Sequence, residues 1–369
     1  MGLQRNILAV LTAAFAWRVA KFVHSTGELR ELNNVLANSG RCERVHADFH
    51  GYEDFAVFED GGIVVFASDH AHFAFSFGTS MRQAIAAKEP EPPHVLGLFN
   101  NGEWHPLQLS GAPSDFHPHG LAARGNFRGS GELLVVNHRS THDTLELFAV
   151  EDGGRTMRHS RTESHELMFN LNDCVFRGGE PEVYCTNWRS YETGTLQDAV
   201  EVYGQRPWSY VVRCHLLEHT CEKVADGIKM ANGIEMRGSH VIVVSSLEPA
   251  ILVYSETDGN RGPLALAHKI RTRSACDNPV WDGEHSLFAA CHPRALTFVR
   301  HSKAPTKHVA PCEVLRVAHV LNASRASKRI VYMDSTGSEF SACSVAAKAG
   351  DALWIGAVHD RGMLRCSGS

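Results

Sequence analysis

The sequence predicts an all-β fold, a six-bladed β-propeller. Three observations carry that reading: a hairpin pattern that recurs along the chain, a spacing with room for four strands per recurrence, and polar residues standing at the same place in each unit. The first unit pairs Glu53-Asp54-Phe55-Ala56-Val57 with Ile63-Val64-Val65-Phe66 across a Gly turn. In the second, His119-Gly120-Leu121-Ala122-Ala123 precedes Leu133-Leu134-Val135-Val136, and in the third Asn172-Asp173-Cys174-Val175-Phe176 precedes Glu182-Val183-Tyr184-Cys185. Asn232-Gly233-Ile234-Glu235-Met236 leads into Val241-Ile242-Val243-Val244, and Asp277-Asn278-Pro279-Val280-Trp281 into Leu287-Phe288-Ala289-Ala290. The last unit joins Ser344-Val345-Ala346-Ala347 to Ala352-Leu353-Trp354-Ile355.

Each unit is a polar tip, a strand, a turn rich in Gly, Asp or Asn, and an apolar strand, which is the grammar of a β-hairpin. The anchors Glu53, His119, Asn172, Asn232, Asn278 and Ser344 lie 66, 53, 60, 46 and 66 residues apart. An unbroken apolar second strand suits a sheet covered on both faces by its neighbours. An irregular pair of β-sandwiches is the competing architecture, and it does not call for a regular hairpin spacing.

Residues 31–369 are read as this one propeller domain, and residues 1–30 as a hydrophobic leader. Arg5 precedes the apolar run from Ile7 to Trp17, and Arg18 and Lys21 restore charge after it. That run is too short to span a bilayer and suits the core of a signal peptide, with Ala14-Phe15-Ala16 as a cleavage pattern. The alternatives are a retained amphipathic helix resting on a lipid or membrane surface, and the first helix of a cytosolic protein. A secreted or membrane-attached protein on the extracytoplasmic side is expected, where Asn322-Ala323-Ser324 is a glycosylation acceptor. Forty-three per cent hydrophobic residues, with 21% charged, allow a large core. A formal net charge of -5 gives no basic field for nucleic acid.

Innermost strands of a propeller start around one central channel, so the polar tips converge there. Glu53, Asn172, Asn232, Asp277 and Asn278 then form a ring of carboxylate and amide oxygens with His119 beside them. Hard cations such as calcium take six to eight oxygens of this kind, whereas zinc wants Cys and His. A turn-capping role is the ordinary explanation for any single Asn or Asp. Five at equivalent repeat positions point to a site.

These stretches resemble the paraoxonase (arylesterase/lactonase) family. The likeness is carried by Tyr52-Glu53-Asp54, Phe116-His117-Pro118-His119-Gly120, Leu133 through His138, Leu171-Asn172-Asp173, Trp208 through Val212, Ala231-Asn232-Gly233-Ile234, Asp277-Asn278, Cys291-His292-Pro293 and Glu313 through Arg316. It runs in order from Cys42 to Cys366. The resemblance implies calcium-dependent hydrolysis of lactones and aryl esters, with phosphotriesters as a side activity. It implies two calcium ions: a catalytic one held by Glu53, Asn172, Asn232, Asp277 and Asn278, and a structural one held by Asp54, Asp173 and the backbone carbonyl of Leu121. His119 and His138 match the family's histidine pair, His119 as the base that takes a proton from water and His138 as its partner. The small-molecule substrate is thus a lactone or ester. A non-catalytic propeller binding a protein or lipid partner is the rival reading, since a fold does not prove catalysis.

Ten cysteines include no Cys-x-x-Cys pair, which argues against a zinc ribbon. The resemblance implies a disulfide between Cys42 and Cys366 and a free cysteine at Cys291. Cys214 and Cys221 flank a short turn, where a cross-hairpin bond is open. Cys174, Cys185, Cys276, Cys312 and Cys343 read as small buried residues. The chain departs from the family at Asn187-Trp188-Arg189, and pocket-wall aromatics of the mammalian enzymes are replaced by His72, Met230 and Val299. His292 and Val358 are weaker candidates for the same wall.

Overall fold

The computed structural model describes residues 23–67, 94–99, 102–257 and 262–367, together with Trp17, Gln83 and Ile85. The apolar run Ile7–Trp17, apart from Trp17, and the pocket candidate His72 lie outside them. The described strands form six sheets arranged as the blades of a propeller. Every hairpin read from the sequence is the inner pair of one blade. Blade 1 starts with Tyr52–Val57 and Ile63–Ala67, blade 2 with Pro118–Arg124 and Glu132–His138, and blade 3 with Leu171–Phe176 and Glu182–Asn187. Blade 4 starts with Ala231–Arg237 and His240–Ser245, blade 5 with Ala275–Asp282 and Ser286–His292, and blade 6 with Cys343–Ala349 and Ala352–Ala357.

The apolar second strands sit between two neighbouring blades, and their alternation is spent on two cores. In blade 4, Val241 and Val243 point into the core shared with blade 3, while Ile242 and Val244 point into the core shared with blade 5. The side-chain period of two sends successive residues to opposite faces, and both faces here are dry. The outermost strands are half exposed, as in Cys42–His50.

That strand closes the ring. Cys42–His50 pairs antiparallel with Arg361–Ser367 of blade 6, so the two ends of the repeat array share a sheet. Cys42 lies directly opposite Cys366 and is bonded to it, as the resemblance implied.

The remaining cysteines correct the sequence reading. Cys291 is not free: it is bonded to Cys276, which faces it across the inner pair of blade 5. Cys174 and Cys185 make the same bond in blade 3, and Cys312 is bonded to Cys343 between blades 5 and 6. Cys214–Cys221, left open above, is also formed. For the bonds inside blades 3 and 5 the physical reason is register, and for Cys312–Cys343 it is the packing of one blade on the next. Residues directly opposite in an antiparallel pair bring their Cβ atoms within disulfide reach, and separations of 11 and 15 residues do not announce that register.

Because each second strand runs back to where the first began, the loops after the second strands gather at one end of the channel. Helix α1 (Leu196–Tyr203) stands in the blade 3 loop and helix α2 (Ala295–Lys303) in the blade 5 loop. Thr195 caps α1 through the Asp198 backbone N–H. Arg294, at the start of α2, makes no side-chain cap; Glu28 does that work from far away in sequence, its Oε1 accepting from the N–H groups of Leu296 at 2.7 Å and Thr297 at 3.0 Å. Residues near the N-terminus are thereby pinned over the end where the polar tips meet.

Candidate active site

Each polar tip coincides with a break in strand pairing. The inner ladders shift register between Tyr52 and Phe55, Pro118 and Leu121, Leu171 and Cys174, Ala231 and Ile234, Cys276 and Pro279, and Cys343 and Val345. A bulge there turns two successive side chains away from ordinary alternation and aims them down the channel. Glu53-Asp54, His119-Gly120, Asn172-Asp173, Asn232-Gly233 and Asp277-Asn278 all lie inside these breaks. The two glycines are needed for closeness. A Cβ on Gly120 would stand 2.3 Å from the Asn172 carbonyl oxygen, and one on Gly233 would stand 2.4 Å from Pro279 Cδ.

The tips are tied to one another across the channel. Asn278 donates its amide to Glu53 Oε1 at 2.9 Å, and Ser344 Oγ donates to the Glu53 carbonyl at 2.7 Å. Asp54 accepts from the N–H groups of Phe55 and Leu121, and Asp173 accepts in the same way from Cys174 and Ile234. Burial, and then the charge of Glu53, holds the Asp54 carboxyl well above the usual carboxylate range. Burial, and then Asp54, does the same to Asp173, and burial again raises Asp277. So much negative charge with so little water wants a cation.

The donor set fits one. Three amide oxygens, Oδ1 of Asn172, Asn232 and Asn278, are buried with no hydrogen-bond partner. Leaving such an oxygen unsatisfied costs about 1–3 kcal/mol, and all three belong to the predicted ligand ring. Together with Glu53 and Asp277 they make an all-oxygen set of the hard-cation kind. Among the described residues no three His, Cys, Asp or Glu side chains cluster as a metal-binding group, so the fit rests on the amides.

His119 and His138 stand over the ring. His119 Nδ1 is 2.8 Å from His138 Nε2, and His119 Nε2 faces Glu53 Oε2 at 3.6 Å. Burial acts to lower the His119 pKa, but Glu53, Asp277 and Asp54 together raise it. A cation seated on those carboxylates would reverse that influence. His138 Nδ1 lies 3.0 Å from Asp143 Oδ1, and the other Asp143 oxygen accepts from the Leu171 N–H at 2.8 Å. Asp143 was not among the residues picked out from the sequence. Its signal is the hairpin that follows His138, which sets Asp143 directly opposite that histidine.

Above these groups is a cavity of about 150 Å³ with an apolar upper wall. A cavity of roughly that size holds a six-membered ring. Its floor contains Glu53, His119, His138, Asn172, Asn232 and Asp277, and the wall candidates Met230, His292, Val299 and Val358 all line it. The loops supply the rest: Trp188 and Tyr203 from the blade 3 connection, and Leu296 and Phe298 from α2. His292 stacks on Phe298 at 3.6 Å and sets Nε2 3.5 Å from Asp277 Oδ2. Behind Trp188, the Arg189 side chain is buried, 2.8 Å from Asp198 and over the Trp188 ring. The Trp-Arg departure therefore builds a wall. Asn322 lies in an exposed turn away from all of this.

The arylesterase family model matches residues 100–367. Human serum paraoxonase/arylesterase 1 is 29% identical over 328 residues, covering 86% of each chain. Human serum paraoxonase/lactonase 3 is 27% identical over 279 residues, 74% of this chain and 76% of its own. Among solved structures, a protein provisionally assigned as a gluconolactonase superposes with a TM-score of 0.51 at 12% identity, covering 90% of this chain and 94% of its own. A luciferin-regenerating enzyme superposes with a TM-score of 0.51 at 9% identity, covering 89% and 95%. Likeness at that identity is a likeness of fold.

Proposed function

This chain belongs to the arylesterase family, and we propose on that premise that it hydrolyses lactones and aryl esters with calcium held in the central ring. The observation that carries the reading is the His119–His138 contact at 2.8 Å, directly above the oxygen ring on the cavity floor. A propeller that only binds a partner has no use for both.

Glu53, Asn172, Asn232, Asp277 and Asn278 would hold the catalytic ion, and Asp54, Asp173 and the Leu121 carbonyl a structural one. Calcium there supplies a Lewis acid for the substrate carbonyl and for the charge that grows on its oxygen. The apolar wall, with Trp188 and Phe298, seats the acyl or aryl part and keeps bulk water away. His119 accepts a proton from a water molecule as that water's oxygen bonds to the carbonyl carbon. His138 stabilises the imidazolium by sharing its Nδ1 proton. The Asn172 amide helps hold the oxyanion. As the ring C–O bond breaks, His119 returns the proton to the departing alkoxide, and one water and one lactone have become a hydroxy acid.

Five disulfides support an oxidising, extracytoplasmic location. Contact with a lipid surface is part of the proposal. Tyr191, Leu196, Val200, Tyr203 and Trp208 are exposed on the α1 segment, and Gln205 joins that segment to Ser25 near the N-terminus. The deciding experiment is a substrate screen with purified protein in calcium: an aliphatic lactone, phenyl acetate and a phosphotriester. Turnover of the lactone or the aryl ester is expected. No turnover of any of them by folded, calcium-loaded protein would return the chain to the binding-module reading.

A further inference from the structure

We propose that Asp143 is a positioning residue that selects the tautomers of His138 and His119, so that His119 presents a bare Nε2 to the pocket. The proposal deepens the hydrolase reading above and rests on it for its catalytic meaning, although the tautomers can be read without any substrate.

The argument begins at a fixed donor. The Leu171 backbone N–H can only donate, and it donates to Asp143 Oδ2 at 2.8 Å. Both oxygens of an ionised carboxylate can only accept, so the nitrogen 3.0 Å from Oδ1, His138 Nδ1, must carry a proton. A neutral His138 then has a lone pair on Nε2. The group facing it at 2.8 Å is His119 Nδ1, which must be the donor of that contact. Neutral His119 is left with its lone pair on Nε2, the nitrogen on the cavity floor; Glu53 Oε2 is 3.6 Å from it, beyond the hydrogen-bond distance at which a carboxylate would demand a proton there. Each hydrogen bond dictates the next, from a backbone amide in blade 3 to the base. All three side chains are largely buried, with His138 and Asp143 at 5% and 4% exposure, so water does not readily substitute for any link.

The same chain serves the charged state. Once Nε2 has taken a proton from water, the His119–His138 pair carries one positive charge, and the Asp143 carboxylate lies against it. No proton need reach Asp143.

Asp143→Asn separates this role from a merely structural one. The Leu171 N–H keeps an acceptor only if the new amide turns its oxygen that way, and the amide NH₂ then faces His138 Nδ1. A donor at that point forces Nδ1 to accept, moves the His138 proton to Nε2, makes His119 Nδ1 the acceptor and puts a proton on His119 Nε2. The shape of the site is kept while the base is capped. Asp143→Ala would not discriminate, because it also leaves the Leu171 N–H buried without its acceptor.

The experiment labels histidine rings with ¹⁵N and records ring-nitrogen spectra in calcium over a pH series, read on the high-pH plateau where the spectra themselves show no doubly protonated ring. Assignments come from His119→Gln and His138→Gln. The parent protein should show His119 and His138 both protonated on Nδ1 and bare on Nε2, and Asp143→Asn should show the reverse. On lactone, Asp143→Asn should lose at least about 10²-fold in kcat with KM nearly unchanged. Parent rings protonated on Nε2 would overturn the proposal whatever the variants do. So would an Asn variant that keeps parental kcat. If the parent shows the expected tautomers but turns over no ester, the hydrolase reading fails and the positioning role of Asp143 stands.

Discussion

The side-chain amide of Asn278 is held 2.9 Å from Glu53 Oε1, and 225 residues of chain separate the two. Blade 5 and blade 1 meet at this bond. It uses the Asn278 nitrogen and one Glu53 oxygen, and the Asn278 amide oxygen, like those of Asn172 and Asn232, is buried with no hydrogen-bond partner. Asn232 likewise spends its amide nitrogen on Ser246 and keeps its oxygen unpartnered, which suits the cation proposed for this ring.

Removing that cation should therefore act on both activity and stability. Ester hydrolysis should be lost on chelation, and the melting temperature should fall, because an ion that binds only the folded state stabilises it by mass action. Asp277→Ala should abolish hydrolysis while one calcium ion remains bound. Kinetics and metal analysis after exhaustive dialysis against chelator are the measurements. Full activity in protein shown to be free of calcium would refute the ring as a catalytic metal site.

Ring closure should dominate the contribution of the disulfides. The Cys42–Cys366 bond closes a loop of 324 residues, against 7 for Cys214–Cys221. The chain-entropy estimate is about 5–6 kcal/mol for the long loop and about 2 kcal/mol for the short one. Replacing Cys42 and Cys366 by Ser should lower the melting temperature by at least about 5 °C, and by clearly more than replacing Cys214 and Cys221. Equal effects of the two double variants would mean that strand pairing alone holds the ring shut. Peptide mapping without reductant should find no free thiol at any of the ten positions.

The parts of this molecule legible in the sequence are those where local pattern and repeat position agree. Val241 to Val244 read as a strand buried on both faces because nothing polar interrupts them, and they are divided between two cores. Glu53, Asn172, Asn232 and Asp277 were recognisable because the same bulge recurs at the same place in each blade. Asp143 was not, since it stands outside that repeat and is brought to His138 by the register of a single hairpin. Cys276–Cys291 was hidden for the same reason. Glu28 over α2 depends on packing between distant segments, which no local pattern encodes.

Glu146 should give the fold a pH dependence at the acid end. Burial works against its charge, but hydrogen bonds from Thr144, Thr162, Asn137 and Arg139 bring its pKa down to about 2. A free glutamate titrates near ~4.3. The folded pKa is depressed, so the stabilisation is fully present above ~4.3 and is lost as pH falls towards about 2. Its size is on the order of 2 kcal/mol after allowance for solvent screening. Asn137, which Glu146 holds at 2.9 Å, accepts from the His117 N–H and precedes His138, so the network also steadies the histidine strand. Urea unfolding of the parent and of Glu146→Gln from pH 6 to 2.5 is the test. The stability gap between them should narrow as pH falls, and a constant gap would show that the carboxylate charge contributes nothing.

His119 and His138 should differ in how much each matters. His119 Nε2 faces the cavity floor, and His138 reaches the reaction only through His119 Nδ1. His119→Gln should lower lactone kcat by about 10²-fold or more, because a glutamine amide cannot take the proton from water. His138→Gln should cost less. A glutamine oxygen can still accept from His119 Nδ1, but it cannot share the positive charge with Asp143. Neither side chain belongs to the oxygen ring, so calcium affinity should change little in both, as titration calorimetry would show. Suppose instead that both variants turn over lactone at the parental rate with calcium bound. The histidines would then be structural, water would be activated by the metal ring alone, and the role given to the 2.8 Å contact between the two rings would be wrong even though the fold and the family are right.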